Sequence, residues 1–355
     1  MGNEFPHTPE DITADWLSSK VGRTVTDFSM EQIGVGVGLL GRLFRVSLTG
    51  DGVPKSVVAK FPTLDEGARM NVTAPLGFYK NEVDFYNEGA PITPIGTPKV
   101  YDASYDAETD DFVLLLEDLD GRQVLDQTVG CTIEAAEIAL DALAGLHARW
   151  WNSDFKEIPW AKSYVVPPYP QVIGGMFKQA WPVASELLGD DHLPPHVRDF
   201  GERFADLVPW LLEAISVEPH TFCHGDYRLD NLFFATDTAH APVTVLDWQI
   251  SFRGNPGYDL GYFLSQSLST DIRRAHEESL VDRYANAIAA AGHPIDRDVL
   301  NDVYRKTIAY CFVYPVVAYG QIELTNDRMR ELCEGMVDRS VAAIDDNDAL
   351  SLLPG

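Results

Sequence analysis

The sequence predicts an α+β fold with two lobes, a small β-rich N-terminal lobe and a larger, mainly helical C-terminal lobe. At 355 residues the chain is longer than a single small hydrophobic core usually supports. Short β-rich runs concentrate before residue 117, whereas long helical patterns dominate after residue 131. Elements segregated along the chain in this way are typical of α+β proteins. We therefore predict one lobe for residues 1–119 and the other for residues 120–355, connected within residues 116–124.

The N-terminal lobe is predicted to be a sheet with one helix. Residues 1–30 are predicted to form a helical lead-in, because Ile12, Trp16 and Leu17 would share one side of a helix that begins near Pro9. The segment LGFYKNEVDFYNEG also has helical spacing. Four short β-rich runs are separated by turn sequences such as TGDGVPK and DAETDD: RLFRVSL, SVVAKFP, PKVYDASY and DFVLLLE.

The C-terminal lobe is predicted to be helical around one polar hairpin. The helical pattern begins with TIEAAEIALDALAGLHARWW and continues in four later runs, at residues 196–215, 271–291, 298–319 and 327–345. The clear β signal in this half is NLFF followed by VTVLDW, which predicts a hairpin.

Composition limits the class of protein and its partners. A hydrophobic fraction of 45% and an aromatic fraction of 11% are typical of a folded globular protein. No apolar run approaches the ~20 residues that span a bilayer, so no membrane partner is expected. The net charge of −27 excludes nucleic acid as an expected partner. The four cysteines lie far apart without metal-ligand spacing, which indicates a reducing cytoplasm.

The predicted hairpin brings polar residues together. The run HGDYRLDN leads into its first strand, and VLDWQ contains its second. If Ala235 lies opposite Val243, then Asn231 lies opposite Asp247, and opposed residues are ~4.5–5.5 Å apart at Cα. Asp226 in the preceding turn can reach the same space. Such carboxylate and amide oxygens suit Mg²⁺, although a polar hairpin end with side-chain-capped turns is the structural alternative.

The N-terminal half contains a second set of polar residues. Gly36 and Gly38 belong to GVGLLG, and a glycine loop between antiparallel strands can cover phosphates. Lys60 interrupts an apolar strand and therefore needs a partner or an anion. Glu82 shares a helical stripe with Phe78, so it projects from an apolar face. We expect Lys60 and Glu82 to form an ion pair, the alternative for each being an exposed side chain.

These motifs, in this order, resemble the aminoglycoside phosphotransferase and choline kinase-like superfamily, and especially its ecdysteroid kinase-like branch. The segments ALAGLHARWW and GNPGYDLGYFL are also similar to segments of that superfamily. The resemblance covers about residues 30–345 and implies a two-lobed protein-kinase-like fold. The chain has LDWQ where protein kinases have DFG and has no recognisable activation segment, so a small molecule is the expected acceptor.

The resemblance implies roles for the residues of the second lobe's polar motifs. Asp226 would be the catalytic base, and His224 would brace the catalytic loop. Asn231 and Asp247 would hold Mg²⁺ against the phosphates of ATP. Asp259 in GYDLGYF is expected to support the same loop by hydrogen bonding, and Cys223 is expected to be buried and inert.

The resemblance also implies a nucleotide site in the first lobe. Lys60, oriented by Glu82, would bind the α- and β-phosphates, and the loop with Gly36 and Gly38 would cover them. The backbone from Glu117 to Leu119 would contact the adenine. The nucleotide is expected to be ATP, with GTP as an open alternative.

The implied reaction is Mg²⁺-dependent transfer of a γ-phosphate to a hydroxyl group of a small molecule, with no protein partner evident. The acceptor class stays open among aminoglycoside-, choline-, sterol- and macrolide-like alcohols. Two other functions remain as alternatives. A metal-dependent phosphoester hydrolase could use Asp226, Asn231 and Asp247 but would leave Lys60 and Glu82 unexplained. A non-catalytic nucleotide-binding relative of kinases is the second alternative.

Overall fold

A computed structural model describes residues 5–34, 40–320 and 327–354. Contacts within the chain divide it into two compact units. The first unit is formed by Met1–Ile92, Thr97–Gly121 and Leu246–Ile250. The second unit is formed by Thr93–Gly96, Arg122–Val245 and Ser251–Gly355. Two short segments therefore belong to the unit that is remote from them in sequence, a feature that hydrophobic patterning does not reveal.

The first unit contains a five-stranded antiparallel sheet with the strand order β1-β2-β3-β5-β4. Its strands are β1 (Asp27–Ile33), β2 (Gly41–Thr49), β3 (Ser56–Pro62), β4 (Val100–Asp106) and β5 (Asp111–Glu117). The four runs predicted as strands are confirmed as β2 to β5. The remaining strand, β1, was not predicted.

The predicted helical lead-in over residues 1–30 is wrong at its C-terminal end. A helix spans Ala14–Val21 and ends at Gly22, whose φ of 70° lies in the left-handed region that glycine adopts without steric cost. The chain then enters β1, which lies at the edge of the sheet. None of its residues is fully buried. Only Phe28 and Met30 alternate with exposed polar residues along this strand, which is a weaker strand signal than the longer β-rich runs of β2 to β5.

Alternation along β3 separates a core face from a polar site. Val57, Ala59 and Phe61 face the core of the first unit, and Lys60 lies on the opposite face of the sheet. The core combines this face of the sheet with the N-terminal helix. Its other buried members are Ile12, Leu17, Val25, Val46, Val113 and Leu115.

A short helix, Phe78–Asp84, packs against the sheet and carries Glu82. Its Tyr79 ring packs on Phe112 with 4.5 Å between ring centroids, and the Tyr79 hydroxyl donates to the carbonyl of Leu40 at 2.7 Å. A π-helical turn, Phe85–Gly89, follows directly. This packing fixes the side of the helix from which Glu82 projects.

The second unit is mainly helical. Its helices of seven or more residues are Ile133–Arg149, Tyr169–His192, Pro195–Ala214, Gly257–Ser267, Thr270–Ala290, Arg297–Cys311, Val313–Tyr319 and Asp327–Asp346. The predicted helical runs are confirmed, although residues 298–319 form two helices. Tyr169–His192 and Gly257–Ser267 were not predicted. No helix in the described part of the chain is long and apolar enough to cross a membrane.

Short strands complete the second unit. β7 (Thr221–Cys223) pairs with β10 (Phe252–Gly254). In the second small sheet, β8 (Leu232–Phe234) lies between β6 (Gln123–Val124) and β9 (Val243–Val245). The β8–β9 pair is the predicted hairpin.

The predicted register of this hairpin is wrong by one residue. Phe234, not Ala235, lies opposite Val243, and the strand pairing ends with Leu232 opposite Val245. This register places buried apolar side chains opposite each other, whereas a shift of one residue would place Phe234 opposite Thr244. The ladder therefore ends before Asn231, which closes a 3-10 turn, Leu229–Asn231, and it does not pair Asn231 with Asp247.

Close packing of the helix Gly257–Ser267 against Arg297–Cys311 depends on Gly261. A Cβ atom at residue 261 would lie 2.9 Å from Cβ of Thr307, closer than carbon atoms approach without displacement. We expect Gly261→Ala to lower the free energy of unfolding by about 1–3 kcal/mol, measured by urea denaturation. The matched control is Gly145→Ala in the exposed part of another helix, where no atom lies within 4 Å. That control should keep or slightly raise stability, and an equal response of both variants would contradict the packing argument.

Candidate functional site

Lys60 forms a buried charge cluster within the first unit. Its Nζ donates to Glu82 Oε2 at 2.7 Å and to Asp247 Oδ1 at 3.1 Å. The Glu82 side chain is 1% exposed and that of Asp247 is 30% exposed. The ion pair predicted between Lys60 and Glu82 is therefore present. The contact between Lys60 and Asp247 was not predicted from the sequence.

The charges of this cluster do not balance within it. Burial opposes protonation of Lys60, but the carboxylates of Asp247 and Glu82 outweigh burial and raise the pKa of Lys60. Burial also raises the pKa of Glu82 to about 7, against the attraction of Lys60. One ammonium group faces two carboxyl groups, so full ionisation leaves a net negative charge. The partly exposed carboxylate of Asp247 can therefore accept a further cation.

The backbone around Asp247 is held in an unusual conformation. Asp247 has a φ of 62°, in the left-handed region that few residues other than glycine adopt. The ring of Trp248 stacks on Phe85 with 3.8 Å between centroids. The side-chain amide of Asn81 donates to the carbonyls of Trp248 and Gln249 at 3.3 and 3.1 Å. These contacts hold the strained backbone of the segment against the helix that carries Glu82 and the π-helical turn that follows it.

The segment from Glu117 to Leu119 lies at the end of β5. The Glu117 N–H donates to the carbonyl of Lys99 at 2.8 Å, so this N–H is already used. Leu119 is buried, and its N–H and carbonyl have no hydrogen-bond partner among the described residues. The backbone N–H and carbonyl of Leu119 are therefore better suited to bind a ligand than the N–H of Glu117. Gly36 and Gly38 lie outside the described residues.

Asp226 is surrounded by hydrogen-bond donors of the second unit. Its Oδ1 accepts from Arg228 Nε at 3.1 Å and from the Tyr262 hydroxyl at 2.8 Å. Its Oδ2 accepts from Asn231 Nδ2 at 2.8 Å. Burial alone would raise the pKa of Asp226, but the charge of Arg228 and these hydrogen bonds lower it below the ordinary value. Asp226 is therefore a carboxylate at neutral pH.

The orientation of the Asn231 amide suits a metal ligand. Its nitrogen donates to the backbone carbonyl of Asp226 at 2.9 Å and to the Asp226 carboxylate. Both partners accept only, so the amide nitrogen must face them. The amide oxygen of Asn231 then remains for another partner. Amide and carboxylate oxygens are the ligands that Mg²⁺ prefers, so the amide oxygen of Asn231 suits this ion.

A buried carboxylate, Asp259, holds the loop that precedes Asp226. It accepts from the N–H groups of His224 and Gly225 at 2.7 and 2.8 Å. It also contacts Nε2 of His147 at 3.0 Å. His224 Nδ1 in turn accepts from the N–H of Asp226 at 3.2 Å. The support of the loop expected from Asp259 is confirmed, and the His224 ring braces the backbone of Asp226.

Cys223 belongs to the same buried region, where its thiol is 0% exposed. Its thiol and potential ligand atoms of His147 and Asp259 lie within 4.8 Å of one another. However, His147 and Asp259 are hydrogen-bonded to each other, and Asp259 also holds two amides. Burial raises the pKa of Cys223 well above its ordinary value. The expected burial of Cys223 is confirmed, and His147 and Asp259 beside it already hold each other and the loop by hydrogen bonds.

Sequence reasoning did not single out three residues around Asp226 and Asp259. Arg228 lies inside HGDYRLDN, Tyr262 inside GNPGYDLGYFL and His147 inside ALAGLHARWW. The motifs were therefore visible, but not these contacts. Every residue of the helix Gly257–Ser267 is buried, so no polar face distinguishes Tyr262 from its neighbours.

Comparison with known proteins identifies the relatives of the chain. The family model described as "Ecdysteroid kinase-like family" matches residues 38–292. One curated protein, acyl-CoA dehydrogenase family member 10 of Mus musculus, is 42% identical over 57 residues. That match covers 16% of this chain and only 5% of the mouse protein.

Solved structures of several phosphotransferases are similar over most of the chain. A candidate aminoglycoside phosphotransferase of Ralstonia eutropha has 19% identity and a TM-score of 0.55, covering 94% of this chain and 97% of its own. The GDP complex of aminoglycoside 2'-phosphotransferase-IIIa has 15% identity and a TM-score of 0.54, covering 88% and 92%. Choline kinase LicA of Streptococcus pneumoniae has 15% identity and a TM-score of 0.51, covering 94% and 98%. At these identities, the likeness shows a protein-kinase-like fold.

Removal of the Asp259 carboxylate should destabilise the second unit. Asp259→Ala would leave the N–H groups of His224 and Gly225 and the His147 ring without their buried acceptor. We expect a loss of about 3 kcal/mol or more in the free energy of unfolding, measured by urea denaturation. Asp141→Ala removes an exposed carboxylate paired with Arg283 and should leave the unfolding midpoint nearly unchanged. A small loss in Asp259→Ala would show that the loop amides find other acceptors.

Proposed function

Because the chain belongs to the ecdysteroid kinase-like family, we propose that it is a small-molecule kinase that transfers the γ-phosphate of ATP or GTP to a hydroxyl group. One observation above all supports this proposal. The carboxylate of Asp226 is held by three hydrogen-bond donors in the loop and helix around it. A fixed carboxylate of this kind can receive and orient an attacking hydroxyl group.

In this proposal the first unit binds the nucleotide. Lys60 supplies the positive charge for the α- and β-phosphates, and Glu82 orients its ammonium group. The backbone of the segment from Glu117 to Leu119 binds the base, and the Glu117 N–H takes no part because it already donates to the carbonyl of Lys99. The loop that contains Gly36 and Gly38 covers the phosphates.

Asn231 and Asp247 are the proposed Mg²⁺ ligands. Support comes from the Asn231 amide, whose nitrogen is already bound, and from the partly exposed carboxylate of Asp247. Bound Mg²⁺ would neutralise negative charge on the phosphates. The net negative charge of the cluster around Lys60 also favours a cation at Asp247.

Asp226 is the proposed catalytic base. The hydroxyl oxygen of the acceptor bonds to the γ-phosphorus, the bond from this phosphorus to the bridging oxygen breaks, and ADP or GDP leaves. The hydroxyl proton passes to Asp226. Phosphoryl transfer through a loose transition state needs little removal of the proton before bond formation, so a carboxylate of low pKa can orient the hydroxyl effectively.

The acceptor in this proposal is a small-molecule alcohol. The classes to screen are aminoglycoside-, choline-, sterol- and macrolide-like alcohols. The shape of the acceptor pocket would decide which of these classes binds.

The four cysteines are buried and unpaired, which supports the expected reducing cytoplasm. The pairing of Lys60 with Glu82 favours a kinase over a hydrolase, which would not need it.

Mg²⁺-dependent nucleotide binding is the first test. ATP with Mg²⁺ at about 100 times the dissociation constant should stabilise the fold by ~2.7 kcal/mol, read as a rise in melting temperature. ATP without Mg²⁺ should give a smaller rise, and Asp247→Asn should remove the difference. Asp141→Asn, at an exposed position, is the control and should respond as the wild type does. GTP is measured in parallel. No rise with either nucleotide would contradict the proposal.

Asp226→Asn tests the base. The variant should lower the rate of phosphate transfer to any acceptor found in the screen by about 100-fold or more. The rise in melting temperature with Mg²⁺ and ATP should remain, because Asp226 is not a proposed nucleotide ligand. Asp237→Asn in the exposed hairpin loop is the control and should keep full transfer. Transfer at the wild-type rate by Asp226→Asn would remove Asp226 from the mechanism.

A further inference from the structure

We propose that Tyr262 is a positioning residue, which fixes the Asp226 carboxylate so that Oδ2 receives the acceptor hydroxyl. This role rests on the proposed kinase function. It adds Tyr262 to the site and names Oδ2 of Asp226 as the atom that accepts the hydrogen bond of the acceptor hydroxyl. It follows from the hydrogen bonds that the two carboxylate oxygens accept.

The two oxygens of Asp226 differ in their remaining capacity. Each carboxylate oxygen can accept about two hydrogen bonds in the carboxylate plane. Oδ1 accepts two, from the Tyr262 hydroxyl and from Arg228 Nε. Among the described residues, Oδ2 accepts from Asn231 alone. Oδ2 therefore keeps a position for one more donor, and a substrate hydroxyl can fill it.

Tyr262 is held rigidly enough to set this arrangement. Its side chain is buried in the helix Gly257–Ser267, and its ring stacks on Tyr314 with 4.7 Å between centroids. The hydroxyl of Tyr314 is hydrogen-bonded to that of Tyr258. The same helix carries Asp259, which holds the loop amides. One helix therefore fixes both the loop backbone and the side chain of Asp226.

The chemistry of Tyr262 suits a positioning role. A carboxylate only accepts hydrogen bonds, so the phenol must be the donor. Burial raises the pKa of Tyr262 well above its ordinary value, which keeps the phenol protonated. The other donor to Oδ1, Arg228, is also paired with Asp230 and is shared between two carboxylates. The Tyr262 hydroxyl donates to Asp226 alone among the described residues.

The kinetic test uses Mg²⁺ with radiolabelled ATP as the probe and water as the acceptor. Water oxygen bonds to the γ-phosphorus, the bond to the bridging oxygen breaks, and ADP and phosphate are released as Asp226 takes a proton. With enzyme in excess over ATP, Tyr262→Phe should slow phosphate release by about 3- to 10-fold. The enzyme concentration that gives the half-maximal rate should not change, because Tyr262 is not a proposed nucleotide ligand. Tyr310→Phe removes another buried hydroxyl, which contacts Tyr169, and should keep the wild-type rate.

Double variants separate positioning from a general structural effect. In the Asp226→Asn background, Tyr262→Phe should cause no further loss of rate, because Tyr262 acts through the carboxylate. In urea denaturation, the effects of Tyr262→Phe and Asp226→Asn on stability should be non-additive. The stability measurement needs neither nucleotide nor acceptor.

The outcomes distinguish the two proposals. A wild-type rate in Tyr262→Phe, or an equal loss in both backgrounds, would overturn the positioning role and leave the kinase function intact. Additive stability effects would show that the hydrogen bond is absent and would overturn it as well. Failure of the wild type both to bind nucleotide and to release phosphate would overturn the kinase function, and the positioning role with it.

Discussion

The rest of the second unit's site depends on one buried carboxylate, that of Asp259. It is fully buried, and a buried charge is tolerated only when donors surround it. The donors are two consecutive loop amides and the His147 ring. The loop must therefore turn at His224 and Gly225, and this turn presents Asp226 and then Asn231. The electrostatic need of one side chain thus determines the backbone path of the residues proposed for chemistry.

In the first unit, the carboxylates near Lys60 are only partly compensated by positive charge. Lys60 and Glu82 are buried together, so each lowers the cost of burying the other. Asp247 adds a second carboxylate, which the single ammonium group of Lys60 cannot fully compensate. Asp259 is fully buried and its hydrogen bonds are made within the protein, whereas the Asp247 side chain is 30% exposed. Asp247 still has capacity for a cation, as a metal ligand would.

Structure could be predicted from the sequence where hydrophobic residues recur with the period of a strand or helix, or where a charged residue interrupts an apolar run. Strand alternation around Lys60 and helical spacing around Glu82 predicted their ion pair. The one-residue register of the hairpin was not predictable in this way, because Pro242 and a polar loop lie between two short strands whose pairing depends on tertiary burial. The helix Tyr169–His192 was not predicted because prolines and glycines usually indicate a helix boundary or a loop. Here one proline lies in the first turn, where it is tolerated, and Pro182 lies inside the helix. Tyr262 was hidden because its whole helix is buried.

The membership of Leu246–Ile250 in the first unit has a consequence for synthesis on the ribosome. The sheet, Lys60 and Glu82 are all encoded within the first 121 residues, but Asp247 is made much later. Domains generally fold as units during synthesis, N-terminal units first. Here the first unit cannot reach its final composition until most of the second has been translated. The nascent chain must therefore carry the Lys60–Glu82 pair without its third member through much of elongation, and a cut after residue 121 would separate the proposed nucleotide site from one of its own ligands.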